Sequence, residues 1–311
     1  MTPNLAMHSL LEIDAQLSQL LKLGYRFTRP HTPRNSYSES TPPQNLVKAI
    51  VLDTETTGLD SKTERIIELG MVLFEYCPES GQAYRVLDTF NELEDPETPI
   101  PPETTKIHNI TDDMVRGKRI NDVAVQSFIA DASLIIAHNA KFDRSFVEAR
   151  FPFFEQKAWA CSVAQIPWVD EGLGSAKLEF LAYRYGFHYD GHRASNDCHA
   201  LLELLQQKLP ESGVKAMLKL QENAQTKELK VWALNSPFDS KDALKQRGYR
   251  WNAARKTWST NISEPELNQE IGWLRNTIYG GHSFQIELEK MDALNRFSPR
   301  KSVVELVNFD S

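Results

Sequence analysis

The chain has 311 residues, 35 Lys and Arg against 42 Asp and Glu, and a formal net charge of −7. That balance excludes a bulk nucleic-acid coat, which needs a strongly basic surface, and no apolar run approaches the ~20 residues that span a bilayer. Cys77, Cys161 and Cys198 show no paired spacing, and no basic segment with an apolar core opens the chain, so a reducing cytoplasm without a secretory signal is expected.

In chain order, residues 4–24 place Leu10, Leu11, Ile13, Leu17, Leu20, Leu21 and Leu23 largely on one helical stripe, closed by Gly24. Such a stripe is expected to pack on the next domain. Residues 29–45, rich in Pro, Ser, Thr and Asn, read as an extended linker, so that 1–45 is a helix plus linker. Residues 46–210 alternate strand and helix signals. Strands are expected near 47–53, 65–76, 82–91 and 133–138, and helices near 103–108, 121–130, 141–151, 175–185 and 195–208. Hairpin strands followed by a strand between helices predict an α/β domain, a mixed sheet flanked by helices. Residues 211–228 are polar, are expected to be helical, and read as a linker. Residues 229–311 predict a second, small α/β domain. Its expected elements are strands at Lys230–Leu234 and Ser283–Lys290, helices at Ser240–Gln246 and from Pro265 to about Tyr279, and a hairpin through Tyr249–Trp251 and Lys256–Trp258.

The chemistry begins at Asp53 and Glu55, which close the apolar run Ala49–Leu52. Residues two apart on a strand share a face. Two carboxylates there repel unless a cation lies between them, and hard divalent ions take carboxylate oxygens. A second apolar strand, Leu134–Ala137, leads through His138-Asn139-Ala140-Lys141 to Asp143, near a helix start. Asp197 follows His192 by five residues, beside the helical stripe of Ala194, Cys198, Leu201, Leu202 and Leu205. Four carboxylates and one imidazole suit two divalent ions ~3.5–4 Å apart that clamp the attacking and leaving oxygens of a phosphodiester. The imidazole is placed to take the proton of the attacking water. Mg²⁺ fits best and Mn²⁺ can substitute, whereas the Cys and His residues lack zinc-type spacing.

These three segments, Asp53-Thr54-Glu55-Thr56-Thr57-Gly58-Leu59, His138 to Asp143, and His192-Arg193-Ala194 with Asp197, resemble the three motifs of the DEDDh family of 3′–5′ exonucleases. The proofreading epsilon subunit of bacterial DNA polymerase III and its stand-alone relatives are the nearest group, and the likeness covers about residues 46–210. Lys106-Ile107-His108-Asn109-Ile110-Thr111 is also similar to a family segment that usually has Gly where Asn109 stands. The resemblance implies a ribonuclease-H-like fold and two bound metal ions held by Asp53, Glu55, Asp143 and Asp197. It makes His192 the general base. It assigns Thr56, Thr57 and Leu59 to the pocket for the 3′-terminal nucleotide, with contacts from His138, Asn139 and Phe142. Cys198 stands where Ala is common, and Trp159-Ala160-Cys161-Ser162 where an Asp-Thr pair is often seen; neither removes a ligand.

The last domain adds a second signal. Lys241, Lys245, Arg247, Arg250, Arg255 and Lys256 fall within 16 residues, interleaved with Tyr249, Trp251 and Trp258. Cations that follow phosphates and aromatic faces that stack bases are how single strands are held, so Arg250 and Trp251 are candidate substrate contacts. Core packing and protein docking are the competing uses of those aromatics. Gln16-Leu17-Ser18-Gln19-Leu20-Leu21 resembles a sliding-clamp-binding peptide, which makes a clamp or a DNA polymerase a candidate partner. The expected activity is 3′–5′ hydrolysis of single-stranded or frayed DNA. The alternatives are an RNA 3′-end trimmer with the same chemistry and a non-catalytic nucleic-acid-binding module.

Overall fold

In the computed structural model, residues 16–301 and 303–310 are described. Strands β1 (Val47–Thr56), β2 (Ile66–Cys77) and β3 (Gln82–Leu93) form an antiparallel meander. Strands β4 (Leu134–Ala137) and β5 (Trp159–Cys161) join it in parallel, in the order β3-β2-β1-β4-β5. Helices α1 (Pro102–His108), α2 (Asp122–Ile129), α3 (Ala140–Arg150), α4 (Leu178–Arg184), α5 (Ala194–Leu205) and α6 (Ala216–Gln225) surround it. Both faces are covered, which is why β1 is apolar without alternation between Ala49 and Leu52. Ala49 and Val51 pack with Cys198, Leu201 and Leu202 of α5 on one face, and Ile50 and Leu52 pack with Phe146 and Val147 of α3 on the other. The parity of the strand therefore carries Asp53 and Glu55 to the α5 side.

A second sheet follows, all antiparallel, in the order β10-β9-β6-β8-β7. Its strands are β6 (Glu228–Ala233), β7 (Arg250–Asn252), β8 (Thr257–Ser263), β9 (Phe284–Met291) and β10 (Val304–Phe309). Helices α7 (Lys241–Gln246) and α8 (Leu267–Trp273) cover one face. Leu244, Leu274, Val231, Ala233 and Ile286 make a separate core there. The two sheets are joined tightly. The connection from β9 to β10 runs back over the first domain, where the Trp159 N–H donates to the Ala293 carbonyl at 2.7 Å. The fully buried Arg144 guanidinium donates to the carbonyls of Leu294 and Arg296 at 2.6 and 2.8 Å.

Three expectations change. Residues 211–228 are not a free linker: α6 buries Ala216, Met217, Leu220 and Ala224 in the first core. Residues 29–45 are pinned rather than loose. Arg29–Pro30 pairs in parallel with Phe187–His188, and Arg29 and Arg34 both reach Glu203. Of the N-terminal helix, Leu10, Leu11 and Ile13 lie outside the described residues. Within the helical residues 16–22, Leu17 and Leu21 are exposed, so this part of the stripe does not pack on the next domain. Strands β5 and β10 were not expected. No helix among the described residues is long and apolar enough to cross a membrane.

Candidate metal centre

The site forms where β1 and β4 run parallel and their C-terminal ends part, the place where open α/β sheets leave a crevice. Asp53 and Glu55 end β1. Asp197 lies in the first turn of α5, packed against β1 and β2. One carboxylate oxygen from each of Asp53, Glu55 and Asp197 lies within 4.8 Å of the other two. Asp143 comes from the opposite side of the sheet, in the first turn of α3. It is tied to the end of β1, because the Thr54 N–H and hydroxyl both donate to Asp143 Oδ1, at 3.1 and 2.9 Å.

Helix α5 approaches this closely because Gly70 stands opposite Asp53 across the β1–β2 pair. A Cβ at Gly70 would lie 2.5 Å from the Ala194 carbonyl carbon and 2.6 Å from Ser195 N. Cys198 donates to the Gly70 carbonyl at 3.4 Å from the same helix. Asp197 is oriented by the Tyr189 hydroxyl on Oδ1, 2.9 Å, and by the Arg193 N–H on Oδ2, 3.1 Å. Glu68, which sequence reasoning passed over, faces Glu55 directly across β1–β2 and is fully buried. It accepts from Arg193 Nη2 at 2.8 Å, Arg193 Nε at 3.2 Å, the Ala194 N–H at 3.1 Å and Asn91 at 3.2 Å. Glu68 thus anchors the start of α5. The available signal was an acid in mid-strand between Ile67 and Leu69, where an unpaired charge is too costly to leave.

Burial holds all four carboxyls above their ordinary range, and mutual repulsion adds to it at three. Asp53 is pushed far up by burial and then by Asp143, Asp197 and Glu55. Glu55 is pushed up to about 8 by burial, then by Asp197, Glu68 and Asp143. Asp143 rises to about 7 from burial, against the Thr54 hydrogen bonds that favour its anion. Asp197 also rises by burial, opposed by the bonds from Tyr189 and Arg193. A cluster of acids that resist ionisation is short of positive charge. Its oxygen-only donor set fits a hard divalent ion.

The remaining candidates divide. His192 stands before α5, half exposed, with a left-handed backbone at φ +60° and its Nε2 3.9 Å from Glu179. A His in that backbone region is strained, and such strain clusters at functional sites. Leu59 is 88 % exposed, which leaves it free to meet a base. Thr56 and Thr57 are buried, with hydroxyls donated to the Gly58 carbonyl and to Glu64. Asn139, at φ +105°, is exposed at the start of α3, and Phe142 rests on Phe146 at 4.9 Å. His138 departs from expectation. Its Nδ1 meets the Ser162 hydroxyl and its Nε2 the Ala176 carbonyl, both at 2.7 Å, and burial lowers it to about 4. It is a neutral tie within the protein, with no ring nitrogen left for a substrate. Arg250 and Trp251, adjacent on β7, point to opposite faces of the second sheet. Arg250 shares the face of Ser259 and Trp232, whereas Trp251 lies 5.5 Å from Trp258 on the helix side and is 52 % exposed.

Residues 50–205 match the family described as Exonuclease (RNase_T). DNA polymerase III subunit epsilon of Treponema pallidum (strain Nichols) is 34 % identical over 161 residues, 49 % of this chain and 72 % of that protein. DNA polymerase III PolC-type of Clostridium perfringens is 30 % identical over 163 residues, 50 % of this chain but only 11 % of that protein. Among solved structures, Exonuclease X in complex with 5′-overhanging duplex DNA is similar at a TM-score of 0.40 and 24 % identity, covering 56 % of this chain and 99 % of that one.

Proposed function

The chain belongs to the exonuclease family, and on that premise we propose that it removes nucleoside 5′-monophosphates one at a time from the 3′ end of single-stranded or frayed DNA. The mixed sheet flanked by helices is the ribonuclease-H-like exonuclease fold, and the chain is a hydrolase. The single observation that carries the mechanism is the convergence of Asp53, Glu55 and Asp197 oxygens within 4.8 Å, with Asp143 tied beside them by Thr54.

Asp53, Glu55, Asp143 and Asp197 would hold the divalent ions, Mg²⁺ by preference and Mn²⁺ as substitute. Bound there, such ions supply charge for the developing phosphorane oxygens and ease deprotonation of water. The residues do the rest. His192 takes the proton of the attacking water on a ring nitrogen. The water oxygen bonds to phosphorus as the bond from phosphorus to the 3′ oxygen of the preceding nucleotide breaks, and that oxygen takes a proton from solvent water to become the 3′-hydroxyl of the shortened strand. Leu59 packs on the terminal base, Asn139 and Phe142 line the same end, and Thr56 and Thr57 shape the turn that presents Leu59. Residues 46–225 form the catalytic unit, and residues 229–311 serve as an accessory substrate domain, with Arg250 on one sheet face and Trp251 on the other. DNA rather than RNA, and assembly with a polymerase or clamp, are favoured by likeness to the epsilon subunit.

The test is digestion of 5′-labelled DNA and RNA single strands of matched sequence with Mg²⁺, Mn²⁺ or chelator, for the wild type and for Asp143→Ala. A metal-dependent ladder shortening from the 3′ end, stronger on DNA and absent in the variant, is expected. Wild-type-like cleavage by Asp143→Ala overturns the metal assignment, and stronger cleavage of RNA transfers the protein to 3′-end trimming. No cleavage by the wild type leaves a binding module.

A further inference from the structure

We infer that the cleft between the two domains carries the body of the substrate strand behind its 3′ end. This rests on the reading of the site as a 3′-end nuclease, and adds where the rest of the strand lies. The cleft encloses about 530 Å³, and its walls include Lys141, Asn223, Lys230, Asn261, Arg296 and Arg300. On one side Lys141 stands in the first turn of α3, two residues before Asp143. It is exposed, and among the described residues it makes no ion pair or hydrogen bond. The cleft therefore borders the helix that carries Asp143, although none of the four carboxylates lines it.

The other wall is the face of the second sheet that α7 and α8 do not cover, on which Trp232, Ser259 and Glu289 are themselves buried. Val231 and Ala233 point into the helix-covered core, so Lys230 and Trp232 point the other way. Pairing across the sheet puts Asn261 beside Lys230, and Ser259 and then Arg250 beside Trp232. The face is built rigidly. Lys230 Nζ lies 4.5 Å and the Arg255 guanidinium 4.0 Å from the Trp232 ring centre, and Trp232 Nε1 donates to Glu289 at 3.1 Å. Its acids are engaged: Glu289 by Trp232, Glu287 by Arg255, and Glu228 by Asn261 and Arg296. Lys141, Lys230 and Arg250 make no ion pair within 4 Å among the described residues, although Glu289 stands opposite Lys230 across β6–β9.

Lys141 and Lys230 line the cleft, and Arg250 lies outside its lining on the same sheet face; in a chain of net charge −7, these cations match a polyanion whose end is processed at the carboxylate site. Cations spaced along a groove follow successive phosphates without reading sequence. The wall is also held at a fixed distance from the chemistry. The connection from β9 to β10 grips α3 through Arg144, and Ser298 donates to Glu148 of the same helix at 2.6 Å. A preformed groove spares the ordering cost that a tethered module would incur on binding.

The test is anisotropy of a 5′-fluorescein oligo(dT) strand of about 20 nucleotides, long enough to leave the site and follow the groove. It is titrated with the full chain in chelator over a range of salt. Lys230→Gln combined with Arg250→Gln should weaken binding about five- to thirtyfold at low salt. The slope of log K against log salt should flatten by about 1.4, two phosphates' worth for a single strand. Lys230→Arg, which keeps the charge, should restore its share of both. Unchanged affinity and slope in the double variant overturn the proposal, as does a wild type that binds no strand. Cleavage is not the readout, so either failure is separable from failure of the nuclease assignment, which the digestion ladder decides independently.

Discussion

Glu55→Gln keeps the side-chain shape and removes its charge. In the metal-free protein burial, then Asp197, Glu68 and Asp143, push the Glu55 carboxyl from 4.5 up to about 8. A folded-state value above the unfolded one means that the folded protein keeps a proton the unfolded chain gives up. Stability is therefore lost as pH rises from about 4.5 to about 8. Moving one carboxyl that far is worth at most about 5 kcal/mol. Glu55 shares the repulsion with three neighbouring acids that can take the proton instead, and it is partly exposed, so about 1–2 kcal/mol is the realistic share near neutral pH. Gln has no charge to repel. The variant should therefore be more stable than the wild type in chelator, by about 2–5 °C in Tm near pH 7–8, with the gain vanishing toward pH 4.5, the ordinary value of the group. Adding Mg²⁺ should raise the wild-type Tm, because the ion binds only the folded chain. The variant should respond weakly and cleave nothing. Circular-dichroism melts across that pH range, with and without metal, read all of this. A variant less stable than the wild type in chelator at every pH would show that Glu55 is held by favourable contacts, and the repulsion argument would fall.

Three further outcomes follow from the same geometry. Glu68→Gln should cost about 1–3 kcal/mol, because the half-exposed Arg193 can turn to water while the buried site loses a charge-assisted acceptor; urea denaturation gives the loss, and cleavage should fall with it as α5 loosens. Gly70→Ala puts a methyl into the backbone of Ala194 and Ser195 and should cost about 1–3 kcal/mol by overpacking. Because the displaced helix carries Asp197, a Mg²⁺ titration of the folded variant should also weaken, and unaltered metal affinity would count against the close-approach argument. Mg²⁺ affinity should rise with pH through about 7 and about 8, where Asp143 and Glu55 lose the protons that oppose binding, and Asp53, also held well up, adds to the rise; a flat profile over that range would contradict the raised carboxyls.

The carboxylate set was legible because strand parity and helix position are properties of spacing. Asp53 and Glu55 share a face whatever the fold, and Asp143 and Asp197 each lie in the first turn of a helix that follows a readable signal. What spacing could not show were the partners. Glu68 reads as an interruption in an apolar strand until Arg193 and Ala194 are folded onto it. His138 looked free because its acceptor, the Ala176 carbonyl, is 38 residues away in the chain. The helical character of α6 was legible, but not its docking, because its polar residues outnumber the apolar stripe of Met217, Leu220 and Ala224, which has a core to meet only in the tertiary structure. Around strand β10 the apolar residues fall in two pairs, Val303-Val304 at its start and Leu306-Val307 within it, instead of alternating, so no period-2 signal marks it.

The protein's own hydrogen bonds divide the four acids in a way that bears on how the centre works. Asp143 and Asp197 are restrained, the first by Thr54 on one oxygen and the second by Tyr189 and Arg193 on both. Those bonds favour the anion and oppose the effect of burial. Asp53 accepts no comparable bond among the described residues, and it is pushed well up by burial, with Asp143, Asp197, Glu55 and Glu68 adding to it. A carboxylate without protein donors keeps its lone pairs for an exogenous partner, and its ionisation then depends on that partner's arrival. The two helices thus supply oriented ligands from opposite faces of the sheet, and the strand between them supplies the charge deficit. That arrangement stores unfavourable electrostatics which a divalent cation would relieve, so on the proposed reading the residues that destabilise the empty fold are the ones that would hold the metal.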